Sequence, residues 1–252
     1  MPYVVAGGHR LEYAWVGAER DGLPTIVMLH EGLGSLALWK DFPERLAAAT
    51  ARRVLVYSRY GYGKSDPLGG PRGVDFMHIE ALETLPQLRD ALGARHPVLF
   101  GHSDGASIAL IHAARAGRPV AAVVALAPHV FVERYGLDSI AGARRAYLEG
   151  DLRLRLARYH DDVDSAFWGW NDIWLHPDFP AWNIEALLPE VACPVLAIQG
   201  LDDEYGTIEQ IERIERSVAD LRRVELAQCG HSPHRDQAEA VLAATARFLA
   251  ES

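Results

Sequence analysis

Apolar residues recur in short continuous runs at Thr25–Leu29, Arg53–Tyr57, Pro97–Phe100, Val120–Leu126, Pro194–Ile198 and Leu221–Leu226. Most of these runs are rich in Val, Ile and Leu without the polar alternation of a half-exposed strand, which predicts strands buried on both faces. Helical periodicity separates nearly all of them, at Asp75–Leu92, Ala106–Ala116, Ile208–Ala219 and Ala238–Leu249. In the last, Val241, Leu242, Phe248 and Leu249 share one face, with Thr245 between them. Ahead of the first run, Tyr3–Val16 alternates around Gly7-Gly8 and predicts an antiparallel hairpin. Strands alternating with helices give an α/β fold with a mostly parallel central sheet and helices on both faces.

One region breaks the alternation. Residues of about 130 to 190 have no buried-strand run but contain helical stretches, the tryptophans Trp168, Trp170, Trp174 and Trp182, and the turn-forming Pro177 and Pro180. Inserted after the sixth predicted strand, this segment is expected to form a helical lid over the carboxyl ends of the strands, where open α/β sheets bind ligands. At 252 residues the chain fits one domain, residues 1–252, with the lid as an insertion.

Composition narrows the function classes. Hydrophobic residues make up 49% and charged residues 23%, and no apolar run reaches the ~20 residues that cross a bilayer. The formal net charge of −9 argues against nucleic acid or an anionic membrane as partner. The first residues lack a basic segment followed by an apolar core, so the cytoplasm is the expected compartment. Cys193 and Cys229 fall near the start of one predicted strand and just past the end of the next, at opposite ends of the sheet if those strands are parallel neighbours. A six-residue strand spans ~20 Å against a ceiling of ~7 Å between bridged Cα atoms, so two free thiols are expected.

The candidate chemistry centres on Gly101-His102-Ser103-Asp104-Gly105, a Gly-x-Ser-x-Gly run between a predicted strand and an Ala-rich predicted helix. A strand that reverses sharply into a helix crowds its own backbone, and glycines on either side of the apex give the room. Ser103 is then exposed above the sheet at the mouth of a helix dipole. With this motif in place the chain resembles the α/β-hydrolase family over nearly its whole length. The resemblance implies the α/β-hydrolase fold and a triad in the chain order Ser, acid, His. Ser103 is the implied nucleophile. Asp203, three residues past the glycine of Gln199-Gly200-Leu201-Asp202-Asp203, is the implied acid, with Asp202 as fallback, and His231 of Cys229-Gly230-His231-Ser232-Pro233 is the implied base. The oxyanion hole implied by the family consists of the backbone N–H groups of Asp104 and of Gly32, in the loop His30-Glu31-Gly32-Leu33-Gly34-Ser35.

The activity so implied is hydrolysis of a carboxylic ester or related acyl bond of a small molecule through an acyl-serine intermediate, with no cofactor. Lactonase, thioesterase and carbon–carbon bond hydrolase use the same triad, and a non-catalytic ligand-binding member of the fold is the rival of another class. Ser103 speaks against the dehalogenases and epoxide hydrolases, which use an aspartate there. Asp104 is unlike the tryptophan usual in proline iminopeptidases and the methionine frequent in carbon–carbon bond hydrolases.

Two acids depart from the family pattern. Asp104 either complements its helix dipole or, with Glu31, selects against negative charge near the scissile bond; Glu31 otherwise points to solvent or pairs with an arginine. Trp168, Trp170 and Trp174 either pack a small core of their own or line an apolar acyl pocket. Arg144, Arg145, Arg153, Arg155 and Arg158 face a substrate anion or form solvated helix faces beside Glu149 and Asp151. His102 is expected to be a packed neighbour of the elbow and His234 a surface or capping residue. No His-x-x-x-His spacing supports a metal at His30, Glu31 and His231. The segment Tyr57–Ser65 is expected to pack beside the oxyanion loop.

Overall fold

A computed structural model describes residues 2–251; Met1 and Ser252 lie outside the described residues. Eight strands form one sheet: β1 (Tyr3–Ala6), β2 (His9–Val16), β3 (Ile26–Leu29), β4 (Val54–Tyr57), β5 (Val98–His102), β6 (Ala122–Leu126), β7 (Val195–Gly200) and β8 (Leu221–Leu226), in the order β1-β2-β4-β3-β5-β6-β7-β8. The first two pair antiparallel around Gly7-Gly8, β2 runs antiparallel to β4, and every later pair is parallel. Each expected strand forms, shifted by at most two residues at either end.

The central strands are buried along their whole length, and their alternation divides the core in two. Val27 and Leu29 pack on one face with Leu99, Ile108, Ile111 and the apolar residues of the inserted segment. Ile26 and Met28 pack on the other with Phe42, Leu46, Val241 and Phe248. The helices Asp104–Arg115 and Ala238–Glu251 therefore cover opposite sides of the sheet. The helix Phe42–Thr50, whose Pro43 suits a first turn, was not among those expected from periodicity.

The expected helix Asp75–Leu92 is broken into Phe76–Ile79, a wide π turn at Glu80–Thr84 and Leu85–Leu92. Pro86 accounts for this, because its ring clashes with the carbonyl four residues earlier and it has no N–H to donate. The segment between β6 and β7 holds three helices, Arg134–Glu149, Leu152–Leu156 and Val163–Trp174, followed by two short 3₁₀ turns. It forms no strand of the sheet, only a bridge from Phe131 to Asn183. Both thiols are free, and burial pushes each up to about 11.

Gly105 sits where the helix after β5 is pressed against β3: a Cβ there would lie 2.1 Å from the Leu29 carbonyl oxygen. Glycine to alanine inside a helix ordinarily stabilises by about 1 kcal/mol, so this site should reverse the sign. Gly105→Ala is expected to destabilise the protein by roughly 3 kcal/mol or more in urea unfolding. An alanine variant as stable as the parent would show that the close approach imposes no constraint.

Candidate active site

The strand β5 ends at His102, and the chain turns at Ser103 with φ 52° and ψ −119° before entering the helix Asp104–Arg115. That left-handed conformation is strained for any residue with a Cβ. Packing enforces it. A Cβ on Gly101 would lie 2.3 Å from the Gly105 carbonyl oxygen, and the Ser103 N–H is held by the Leu126 carbonyl at 2.9 Å. The hydroxyl is thereby presented at the carboxyl end of the sheet, where the loops after β7 and β8 supply its partners.

Those two loops are tied together by the Asp202 N–H donating to the Cys229 carbonyl at 2.9 Å. Asp202 points outward, exposed, and Asp203 inward. The Asp203 carboxylate lies 2.8 and 2.9 Å from His231 Nδ1, and His231 Nε2 lies 2.9 Å from Ser103 Oγ. Asp203 also accepts from the Tyr205 and Gly206 N–H groups and from Gln199 Nε2. Burial opposes its charge, yet the hydrogen bond and charge of His231 hold the carboxyl below the usual range. Burial likewise opposes charging His231, but the Asp203 hydrogen bond and charge hold its pKa above the ordinary 6.5.

The loop His30–Ser35 is fixed from below. His30, fully buried, accepts from the Arg59 N–H at 2.9 Å through Nε2 and donates to the Glu31 carbonyl at 2.6 Å through Nδ1. Its pKa lies well below the ordinary value, because of burial and the neighbouring Arg59 charge. It is a neutral bracket, not a metal ligand, and no group of three or more His, Cys, Asp or Glu among the described residues could hold a metal. Ser58 Oγ accepts from Leu36 N–H and donates to Glu12, so the Tyr57–Ser65 segment does pack beside this loop. The N–H of Gly32 has no acceptor among the described residues, and that of Asp104 opens its helix. Trp170 lies over Gly32 so closely that a Cβ would fall 2.1 Å from the ring.

The two unexpected acids are both enclosed and compensated. Asp104 is fully buried, accepts from Trp174 Nε1 at 3.2 Å and faces Arg59 at 3.7 Å. Burial outweighs the attraction of Arg59 and pushes its carboxyl above the usual range. Glu31 is half-buried on the cavity lining and its carboxylate pairs with no arginine. Its carboxylate folds over Gly34 and lies 3.3 Å from His102 Nδ1, while His102 Nε2 donates to the His231 carbonyl at 2.6 Å. Burial opposes ionisation of Glu31, but the hydrogen bond and charge of His102 hold it far below the usual range. Through its two ring nitrogens His102 thus links the loop His30–Ser35 to the loop that carries His231.

A cavity of about 410 Å³ opens above Ser103 and is lined by Glu31, Gly32, Trp170, Trp174 and His231 among others. Trp168 is not in it: on the far side of its helix it packs against Tyr147 and Phe167 under Arg144 and lines a separate cavity. Trp168 lies two positions before Trp170 in the same helix, and two positions turn the side chain by ~200°, so the two cannot share a helix face. Arg144 and Arg153 pair with Asp172 and Asp164, whereas Arg155 and Arg158 line the cavity. His234 is buried, not at the surface, packed against Trp39, Phe42 and His102 in a short helix before the last one. His129, in the loop after β6, was not singled out by motif. It lines the cavity with its ring centre 5.6 Å from that of His231, and burial and the His231 charge push it down to about 3. Its place just beyond a buried strand's carboxyl end was the available signal.

Arg59→Met leaves the Asp104 carboxyl buried opposite no cation and is expected to cost about 3 kcal/mol in denaturant unfolding. Adding Asp104→Asn should recover part of that loss; a double variant destabilised by the sum of the two single effects would show the groups uncoupled.

Residues 26–244 match the profile described as the Alpha/beta hydrolase family. A proline iminopeptidase of Lactobacillus helveticus is 32% identical over 116 residues, 44% of this chain; the match spans only 36% of that protein. A putative carbamate hydrolase, RutD, of Stutzerimonas stutzeri is 24% identical over 88% of this chain and 90% of its own length. Among solved structures, an enol-lactonase of Burkholderia xenovorans LB400 superposes with a TM-score of 0.77 at 22% identity, covering 99% of this chain and all of that one. With the sheet order, the elbow and the profile in agreement, the chain belongs to the alpha/beta hydrolase family.

Proposed function

We propose that the protein is a serine hydrolase cleaving a carboxylic ester or related acyl bond of a small molecule, with Ser103, His231 and Asp203 as its triad. The observation that supports this reading is the unbroken relay from Ser103 Oγ to His231 Nε2 at 2.9 Å and from His231 Nδ1 to Asp203 at 2.8 Å. A serine hydroxyl is a weak nucleophile until a positioned imidazole takes its proton. Asp203 selects the tautomer with hydrogen on Nδ1, leaving Nε2 free to accept, and stabilises the imidazolium as it forms.

As Ser103 Oγ attacks the substrate carbonyl, the Gly32 and Asp104 N–H groups receive the developing oxyanion. The helix dipole behind Asp104 adds to that field. His231 then protonates the leaving group, and the acyl-serine is hydrolysed by water activated at the same imidazole. The low pKa of His129 keeps that neighbour neutral, so it does not compete for the proton. The inserted helices serve as a lid over this site within a single domain, and no cofactor is required. No helix among the described residues is long and apolar enough to cross a membrane. Two free thiols fit a cytoplasmic location.

The relatives include a proline iminopeptidase and a putative carbamate hydrolase, so the scissile bond is the finer part of this reading. The ester reading is favoured over an aminopeptidase one because Glu31 and Asp104 already face His102 and Arg59, which leaves neither carboxylate free to hold a substrate ammonium. Ser103→Ala is expected to lower turnover of a small ester panel by roughly 10⁴- to 10⁶-fold with the fold intact, and to abolish labelling by a fluorophosphonate probe. Undiminished turnover in that variant removes Ser103 from the mechanism. The base must be neutral to accept the hydroxyl proton, and its pKa is raised, so kcat/KM should fall as pH drops through a value above 6.5. Asp203→Asn removes the main raising influence; its residual activity should keep its rate to lower pH, and an acid limb that does not move would contradict the assignment.

A further inference from the structure

On a chain with a net charge of −9, the cavity above Ser103 is lined by four cationic side chains, Lys40, Arg155, Arg158 and Arg235, against two carboxylates. Both carboxylates are occupied. Glu31 faces His102, and Glu204 accepts from the His231 N–H at 3.1 Å. Arg155 is paired with Asp151, but Lys40, Arg158 and Arg235 have no ion-pair partner among the described residues.

The three come from different parts of the chain and are anchored at their bases. Lys40 follows Trp39, whose ring centre lies 4.7 Å from that of His234, the residue before Arg235. The segment of Arg158 is pinned two residues on by His160, which accepts from the Gly63 N–H at 2.9 Å and donates to the Leu33 carbonyl at 3.0 Å. Lys40 adds an independent observation. Its backbone has φ 54° and ψ −125°, nearly the conformation of Ser103, where glycine would be unstrained. A long cationic side chain held there against local preference, with no protein partner, is the pattern of a residue kept for a ligand.

We infer that Lys40, Arg158 and Arg235 form a cationic rim that binds a carboxylate or phosphate group on the substrate, distal to the acyl bond held at Ser103. This rests on the serine-hydrolase reading only for the word substrate; the anion site stands on the rim itself. The arrangement is polarised. Both carboxylates on the cavity lining already face a protein group, whereas the exposed Lys40, Arg158 and Arg235 on the same lining are left to attract an anion. Such a substrate enters with its neutral acyl end leading.

Calorimetry on Ser103→Ala tests this without turnover, with two matched pairs: monomethyl against dimethyl adipate for a carboxylate, and acetyl-coenzyme A against S-acetyl-N-acetylcysteamine for phosphates. In at least one pair the anionic member should bind about tenfold or more tighter at about 20 mM NaCl, with the ratio shrinking at about 0.3 M as screening grows. Added to Ser103→Ala, the substitutions Lys40→Gly, Arg158→Gln and Arg235→Gln should each lower the ratio by about 2- to 5-fold, and all three together bring it near one. Lys40→Gly keeps the test sound, because glycine suits that backbone and folding is not at risk. Equal binding within both pairs, no binding of either anionic probe, or a preference that survives the triple variant overturns the rim. Fluorophosphonate labelling of the protein with Ser103 intact separates the two proposals: labelling without anion preference removes the rim alone, and anion preference without labelling removes the nucleophile alone.

Discussion

The contact between the helix after β5 and the end of β3 sets the geometry of everything around it. Gly105 lies so close to the carbonyl oxygens of Leu29 and His30 that no side chain fits between them. The same contact therefore places the start of the helix that follows Ser103 and the start of the loop that holds Gly32. Because β3 and β5 are also paired in register, Leu29 opposite Gly101, the relation between Ser103 and Gly32 is a property of the sheet and not of a flexible loop. His30 then extends that rigidity outward, bracing the loop on the backbone of Arg59. Precise positioning of donors before the reaction is what makes an oxyanion hole effective, since donors already in place need not reorganise as charge develops.

In the proposed mechanism a transient anion forms near three carboxylates, and each of these is handled differently. Asp203 is charged and spends its charge on His231. Asp104 stands on the nucleophile's own helix and is enclosed by Arg59 and Trp174, with burial favouring its neutral form. Glu31 is ionised and matched by His102, which in turn holds the His231 carbonyl. The acid next to the oxyanion loop is thus converted from a repulsive charge into a strut between that loop and the histidine loop. Losing the strut would leave the half-buried Glu31 with its charge unbalanced, a larger penalty than the loss of one hydrogen bond.

The meeting of Ser103, His231 and Asp203 at one end of the sheet was legible in the sequence because the elbow and the two loops depend on local rules. Glycines flank the strained apex, and the acid and base follow buried strands at fixed offsets. The sheet was legible for the same reason, since strands buried on both faces leave continuous apolar runs. What failed was set by distant contacts. Nothing near His234 in sequence says that Trp39 and Phe42, almost two hundred positions earlier, will enclose it. Trp168 has the composition of a pocket residue and sits two positions from one, but the docking of its helix, not its chemistry, turns it away. The partner of Glu31 was equally out of reach, because His102 meets it only once β5 lies beside β3.

The helix Val163–Trp174 does more than cover the cavity. Trp174 completes the hydrogen bonding of Asp104, and Trp170 fills the space above Gly32 that any side chain at that position would occupy. Swinging this helix away would strip a buried carboxyl of a donor and expose two large aromatic surfaces to water, each change costing on the order of 1–3 kcal/mol. The inserted segment near His160 is clamped as well, on both sides of one imidazole. The inserted region therefore behaves as a fixed wall along these two elements.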